Sequence, residues 1–299
     1  MGTFLAPVFE PGFFDSSAVN VALVVGAVVA MVSAPVGVFT VIRGQSFAGH
    51  AFSDVSTTGG SGAFLLGVNP IWGFVVMGLA ATSAMEMIGV QRARSRDVAT
   101  GIVLGGALGL SALFLYLDAT SSSTTGASIT VLFGSIFVID HSTAVITALC
   151  GLAVLATIVP IYRMLLLSSL DADIAASRGV PVRLVGVCYL AATSLAVALS
   201  AITIGAILST ALLIGPAATA LRLTRRPGAA IVTAGLVGIG ATWLGILLAY
   251  DSFYWPPAGR GWPVSFFVVV LIFVFYLISG AHRPRRRPEP MTPGVPGGV

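Results

Sequence analysis

Between Arg43 and Gly67 the chain reads RGQSFAGHAFSDVSTTGGSGAFLLG, a half-polar segment set between two long apolar runs. Wound as a helix at about 100° per residue, it places Ser46, His50, Ser53, Asp54, Thr57 and Ser61 on one stripe about 100° wide. Phe47, Ala51 and Val55 lie away from the centre of that stripe. On a membrane helix such a stripe faces a water-filled path or the bundle interior rather than lipid. His50 and Asp54 stand at i and i+4, so their side chains can converge on one ion. Imidazole with carboxylate suits zinc, and manganese or iron can use it too. Two ligands alone make a weak site, whereas two copies across a homodimer axis would supply a His2Asp2 set. The plainer alternative is a buried polar pair, or a proton relay. An ionised Asp near the bilayer centre costs about 3 kcal/mol on insertion scales, so it is seldom there without a partner or a purpose.

The rest of the chain argues for the membrane. Of 299 residues 57% are hydrophobic and 9% charged, with a mean hydropathy of +1.01; soluble domains carry about a quarter charged residues. Apolar runs long enough to cross a bilayer recur at about 18–41, 44–68, 70–91, 98–118, 138–163, 181–200, 203–222, 228–250 and 263–281. The expected architecture is all-α, a polytopic transmembrane bundle of nine spans, or eight if segment 44–68 or 203–222 is re-entrant. One transmembrane domain over 1–282 and a basic, Pro/Gly-rich disordered tail over 283–299 account for the chain. No basic residue precedes the first apolar run, so no signal peptide is expected.

Arginine supplies all the basic side chains: fifteen Arg and no Lys. A phosphate-binding loop and a kinase both need a Lys, so any ATP hydrolysis is expected on another chain. Arg43, the group Arg92, Arg94 and Arg96, then Arg163, Arg178 and Arg183, Arg222, Arg225 and Arg226, and the tail from Arg283 to Arg287 fall at alternate span ends. Those ends read as cytoplasmic, with the N-terminus outside and the C-terminus inside; only Arg260 lies on the other side. With the arginines dispersed in short loops, nucleic acid is not an expected partner. Segment 128–140 is apolar but too short to cross, which fits a re-entrant or interfacial helix. Asp140 and His141 stand at an outer span end, as a helix cap or a meeting point for an incoming ion. Glu86 is expected to pair or snorkel near Arg92, and Trp243, Tyr250, Tyr254, Trp255 and Trp262 to form an outer aromatic belt. Cys150 and Cys188 sit in separate apolar runs and read as core residues.

Leu170 to Gly179, LDADIAASRG, has an acidic start, an Ala-rich centre, a Gly stop and then Pro181. That is the pattern of a short loop helix. By itself it is a connector.

Several strings together resemble the metal-ion permeases of ATP-binding cassette importers, which carry zinc, manganese or iron(II) inward. That family has an Arg, then an aromatic-x-Gly-Asp-x-x-x-His block ending in Gly and small residues. Here the block is Arg43, Phe47-Ala-Gly49-His50-Ala-Phe-Ser-Asp54 and Gly59-Gly60, with His50 where the family has Asp and Asp54 where it has His. Asp97-Val-Ala-Thr-Gly101, Leu132-Phe133-Gly134-Ser135, the run from Thr203 to Ala220 and Pro257-Ala-Gly259 resemble further family landmarks. The resemblance implies a pore subunit of a plasma-membrane importer, in a bacterium, working as a homodimer with two ATP-binding subunits and an extracytoplasmic metal-binding protein. It implies a transported divalent ion, zinc or manganese, and no permanently bound cofactor. His50 and Asp54 would hold the ion; Ser46, Ser53, Thr57 and Ser61 would line its path. It also makes Asp171, Asp173, Ala175 and Gly179 part of the loop that couples to the ATPase.

Two other readings remain open from the residues. A proton- or ion-coupled secondary transporter could use His50 and Asp54 as its relay, but a second polar span in the other half, expected of an inverted repeat, is missing. An intramembrane hydrolase would need a nucleophile with its base, or a denser metal motif, and neither occurs in the chain.

Overall fold

The computed structural model describes residues 13, 15–87, 93–121, 126–134, 136–255 and 261–281. The tail 283–299, the Pro257-Ala-Gly259 string, Ser135, Arg92 and Arg260 lie outside them, as do the side chains of Glu86 and Asp97. Among the described residues the chain is helical throughout, with no strand: α1 (Ser17–Ile42), α2 (Ser46–Leu65), α3 (Pro70–Met87), α4 (Ala93–Ser121), α5 (Gly126–Phe133), α6 (His141–Leu170), α7 (Ala172–Ser177), α8 (Val182–Ile204), α9 (Ala206–Leu223), α10 (Pro227–Ser252) and α11 (Val264–Ala281). A 3-10 turn, Ile136–Val138, joins α5 to α6. Five described segments are long and apolar enough to cross a membrane: Ser17–Ile42, Gly101–Thr120, His141–Leu170, Val182–Ile204 and Pro227–Ser252. Helix α2 is not one of them, because its Ser, Thr, His and Asp residues dilute its hydropathy.

Helix α1 is the buried post of one half, packing on α6, α8, α9 and α10 through Val25, Val29, Val32, Val36 and Phe39. Helix α2 is the post of the other half, packing on α3, α4, α8 and α9. Large apolar side chains such as Leu149, Leu152, Val159, Val232, Leu236, Phe273 and Leu277 point outward instead. In a water-soluble protein that much exposed apolar surface would drive association; here it is the face a bilayer covers.

Small residues set how closely the posts approach their neighbours. A Cβ on Gly37 would lie 1.9 Å from the Leu213 carbonyl oxygen, so α1 and α9 cross with backbones in contact. A Cβ on Gly73 would lie 2.0 Å from the Gly59 carbonyl oxygen, which brings α2 and α3 equally close. Membrane helices lack a hydrophobic drive toward each other and associate through this kind of close packing.

Three boundaries differ from the sequence expectation. The fifth long helix runs from His141 to Leu170 rather than over 138–163, because no breaker follows Arg163 until Asp171. The division expected near residues 201–202 falls at Gly205, at φ +88° between α8 and α9. Helix α5 explains why a glycine stands there: a Cβ on Gly205 would meet the Leu132 carbonyl oxygen at 2.2 Å. Segment 128–140 is a short helix and a 3-10 turn separated by Gly134 at φ +77°. Thus the strings around Leu132-Phe133-Gly134 and Thr203-Ile-Gly205, far apart in sequence, are two sides of one close contact.

Candidate metal site and coupling helix

A helix as polar as α2 can be enclosed by other helices only if its hydroxyls find acceptors. Thr57 Oγ1 donates to the Ser53 carbonyl at 2.8 Å and Ser61 Oγ to the Thr58 carbonyl at 3.1 Å, both within α2. Ser53 Oγ donates to the Ala206 carbonyl at 2.7 Å and lies 2.5 Å from Ser209 Oγ, bonding α2 to α9. On the side facing α4, Thr58 Oγ1 donates to the Ala107 carbonyl at 2.7 Å, and Ser61 Oγ lies 3.2 Å from Ser111 Oγ. Gly59 and Gly60 complete the enclosure by admitting Gly73 and the Phe74 ring.

Two members of the stripe have no such internal partner and meet each other. His50 Nε2 lies 3.5 Å from Asp54 Oδ2. The Asp54 side chain is 11% exposed and that of His50 47%, so the carboxylate sits inside the bundle and the imidazole at its rim. Ser46 is half-buried one turn before His50, while Ser53, Thr57 and Ser61 are buried and engaged as described. Among the described residues no group of three or more His, Cys, Asp or Glu side chains could hold a metal ion. One chain therefore contributes one nitrogen and one carboxylate, half of a four-coordinate set.

Other polar residues resolve into structural roles. Asp140 caps α6, its carboxylate accepting from the Thr143 backbone N–H at 3.3 Å and from the Ser142 hydroxyl. Those bonds hold its pKa below the usual carboxylate range. Asn69 Nδ2 donates to Thr143 Oγ1 at 3.0 Å across the same corner, beside a cavity of about 340 Å³ lined by Asn69, Thr130 and Asp140. His141 is exposed. Trp255, Trp262, Phe266 and Phe267 form a cluster of edge-to-face contacts with one stacked pair, Trp262 on Phe267, whereas Trp243 sits mid-helix and donates to the Leu23 carbonyl at 3.0 Å. Cys150 and Cys188 are free thiols.

No sequence motif flags some polar residues that the fold buries. Asp118 of α4 is 3% exposed, and Ser56 of α2 and Ser194 of α8 are buried without hydrogen-bond partners. Asp118 and Ser194 stand in apolar runs and Ser56 lies off the polar stripe of its helix, so none carries a local signal; only the packing of α2, α3 and α8 brings the two serines against Gly78.

At the arginine-bearing end, α7 joins α6 to α8 with every residue but Ala175 exposed. Asp171 caps it, Oδ1 accepting from the Ile174 N–H at 2.8 Å. Asp173 stands in the first turn, where a negative charge favours the helix dipole. Gly179, at φ +79°, ends it: its N–H bonds the Ala176 carbonyl at 2.9 Å, and the Val180 N–H bonds the Ala175 carbonyl at 3.1 Å. This pair of bonds is the Schellman arrangement, which uses a left-handed residue at its turn. The structure thus places Asp171, Asp173, Ala175 and Gly179 on one short, doubly capped helix, exposed except at Ala175.

Comparison with known proteins bears on the whole chain. The family model described as "ABC 3 transport family" matches residues 16–280. The manganese import system permease protein ScaB of Streptococcus pneumoniae is 30% identical over 266 residues, covering 89% of this chain and 91% of that protein. The high-affinity zinc uptake system membrane protein ZnuB of Haemophilus influenzae is 30% identical over 268 residues, covering 88% and 97%. The structure described as PsaBC from Streptococcus pneumoniae in complex with Fab superposes with a TM-score of 0.76 at 29% identity, covering 90% of this chain and 92% of that one. With its all-helical bundle and outward apolar faces, the chain belongs to the ABC 3 transport family, as a multi-pass permease of the plasma membrane.

Proposed function

We propose that two copies of this chain form the pathway of an ATP-driven manganese or zinc importer and hold the ion between two His50/Asp54 pairs. The observation that carries this reading is the His50–Asp54 pair itself, a 3.5 Å contact with one ligand buried and one at the rim of an otherwise enclosed helix. A second copy facing that rim would complete the coordination. Manganese and zinc are what the names of the relatives carry, and a mixed nitrogen and oxygen set accepts either.

As a permease of this family the chain is not the ATPase; two ATP-binding subunits would dock on α7, and an extracytoplasmic metal-binding protein would load the ion from the opposite end. The decisive experiment is uptake of radioactive manganese or zinc into proteoliposomes holding the chain with its ATPase subunits and metal-loaded binding protein. Uptake should require ATP hydrolysis and persist when the proton gradient is collapsed. Uptake driven by a proton gradient without ATP would instead make His50 and Asp54 the relay of a secondary transporter.

The orientation belongs to the same reading: nine spans, with the end bearing Arg43, Arg163 and Arg222 cytoplasmic and the N-terminus outside. A cysteine placed at Gly126, in a chain with Cys150 and Cys188 replaced by serine, should react with an impermeant maleimide on intact cells. One placed at Thr224 should react only after permeabilisation. The reverse pattern would put α7 outside, where no ATPase could reach it.

A further inference from the structure

One arginine sits where the elements of transport meet. Helix α7 packs on α6 and α8, and the Arg43 side chain grips both. Its Nε donates to Ser169 Oγ at 2.9 Å and one terminal nitrogen to Ser168 Oγ at 2.8 Å, in the last turn of α6 just before Asp171. Each of these hydroxyls donates its own proton to the Leu165 carbonyl, which leaves its lone pairs turned toward the guanidinium. Its Cζ lies over the Tyr189 ring of α8, 4.9 Å from the ring centre. Tyr189 is buried, and its hydroxyl lies 2.7 Å from Thr40 Oγ1.

The other end of the link is a hydrogen-bonded turn. Arg43 ends α1, where Gly44 at φ +63° bonds the Val41 carbonyl and Gln45 bonds the Thr40 carbonyl, a second Schellman turn. Helix α2 begins at Ser46, directly after it, and carries His50 and Asp54 in its first turns. Arg43 thus makes two hydrogen-bonded connections: a side-chain fork to the elements under α7, and a two-residue turn to the helix carrying His50 and Asp54.

We propose that Arg43 is a positioning residue of the transport cycle, which transmits displacement of α7 to α2 and so links ATP hydrolysis to release of the ion. The proposal rests on the reading of α7 as the docking helix and of α2 as the metal helix. A planar fork that bonds two hydroxyls while lying over a ring cannot be reproduced by a lysine, whose ammonium is a point charge. Any positive charge would serve merely to anchor a span end at the membrane surface.

That difference sets the test. The full complex of this chain with its ATPase subunits is reconstituted in proteoliposomes, and radioactive manganese moved per ATP hydrolysed is compared between variants. Arg43→Met, and the pair Ser168→Ala with Ser169→Ala, should each lower that ratio about tenfold, the scale of losing hydrogen bonds to a charged group. Combining them should lower it no further than Arg43→Met alone, since that change already removes both serine bonds. Arg43→Lys should remain low. Should Arg43→Met not assemble, the serine pair, which removes two hydroxyls and no charge, decides alone. A wild-type ratio in Arg43→Lys reduces the residue to an interfacial anchor, and a wild-type ratio in the serine pair removes the link through α6; either overturns the proposal. Gly179→Val run in parallel separates the two levels. If transport and transport-stimulated hydrolysis fall together in it while the serine pair keeps a wild-type ratio, the Arg43 link alone fails; if both stay normal in it, the docking role of α7 fails and the link with it.

Discussion

Replacing either His50 or Asp54 by alanine is expected to cut metal accumulation by at least about a hundredfold. In a site shared by two copies, each substitution removes two of four ligands at once. Loss of a residue that only orients a ligand already costs about 10–100-fold in affinity, so loss of two ligands should exceed that. Assembly should survive, because what holds α2 in place lies elsewhere: Ser53 to Ala206, Thr58 to Ala107, and the Gly59–Gly73 crossing. His50 is half exposed, and its removal leaves no cavity in the core. Asp54 is buried, so Asp54→Asn, nearly the same in shape, serves as the second variant against a packing defect. The check is radioactive uptake together with the yield of assembled complex. The exchange His50→Asp with Asp54→His restores the order found in the resembled family and should retain part of the uptake, because the ligand inventory is unchanged. Normal accumulation in both alanine variants would make the pair a structural salt bridge and move the ion elsewhere.

How much of this was legible beforehand differs from residue to residue. The His50–Asp54 contact follows from i,i+4 spacing, a property of one helix, so it could be read without knowing any neighbour. The fate of the other stripe residues could not. Ser53 and Ser61 lie on the same stripe, yet one bonds α9 and the other faces α4, because several helices surround α2 and each claims a different sector. The Gly205 break was displaced by a few residues for a related reason. It is set by α5 pressing on the chain from a segment some seventy residues away, and no window of local sequence contains that contact. Arg43 was visible as a basic residue at a span end, but its hold on Ser168, Ser169 and Tyr189 depends on how α1, α6 and α8 converge.

Helix α7 is the opposite case, and it carries the second large effect. Its start and stop are written in side chains that act within one turn, Asp171 at the cap and Gly179 at the left-handed position, so the sequence pattern and the structure coincide. Gly179→Val should therefore lower metal transport about tenfold. A β-branched residue at φ +79° is strained by roughly 1–3 kcal/mol. The strain is relieved by unwinding a helix of only six residues, which has little else to hold it. A Cβ at this position meets nothing within 4 Å, so the damage comes from backbone conformation and not from a clash in the bundle. Expression, assembly of the spans and metal binding at His50 and Asp54 should persist. Transport and transport-stimulated ATP hydrolysis should fall together, since a misshapen α7 no longer conveys the state of one subunit to the other. Gly179→Asn, which tolerates the left-handed region far better, should recover much of both activities. A folding defect would lower metal binding as well, which separates it from a coupling defect in the same preparation. If stimulated hydrolysis stays normal in Gly179→Val with the subunits assembled, coupling runs through another loop, and the one joining α9 to α10 around Arg225 and Arg226 becomes the place to look.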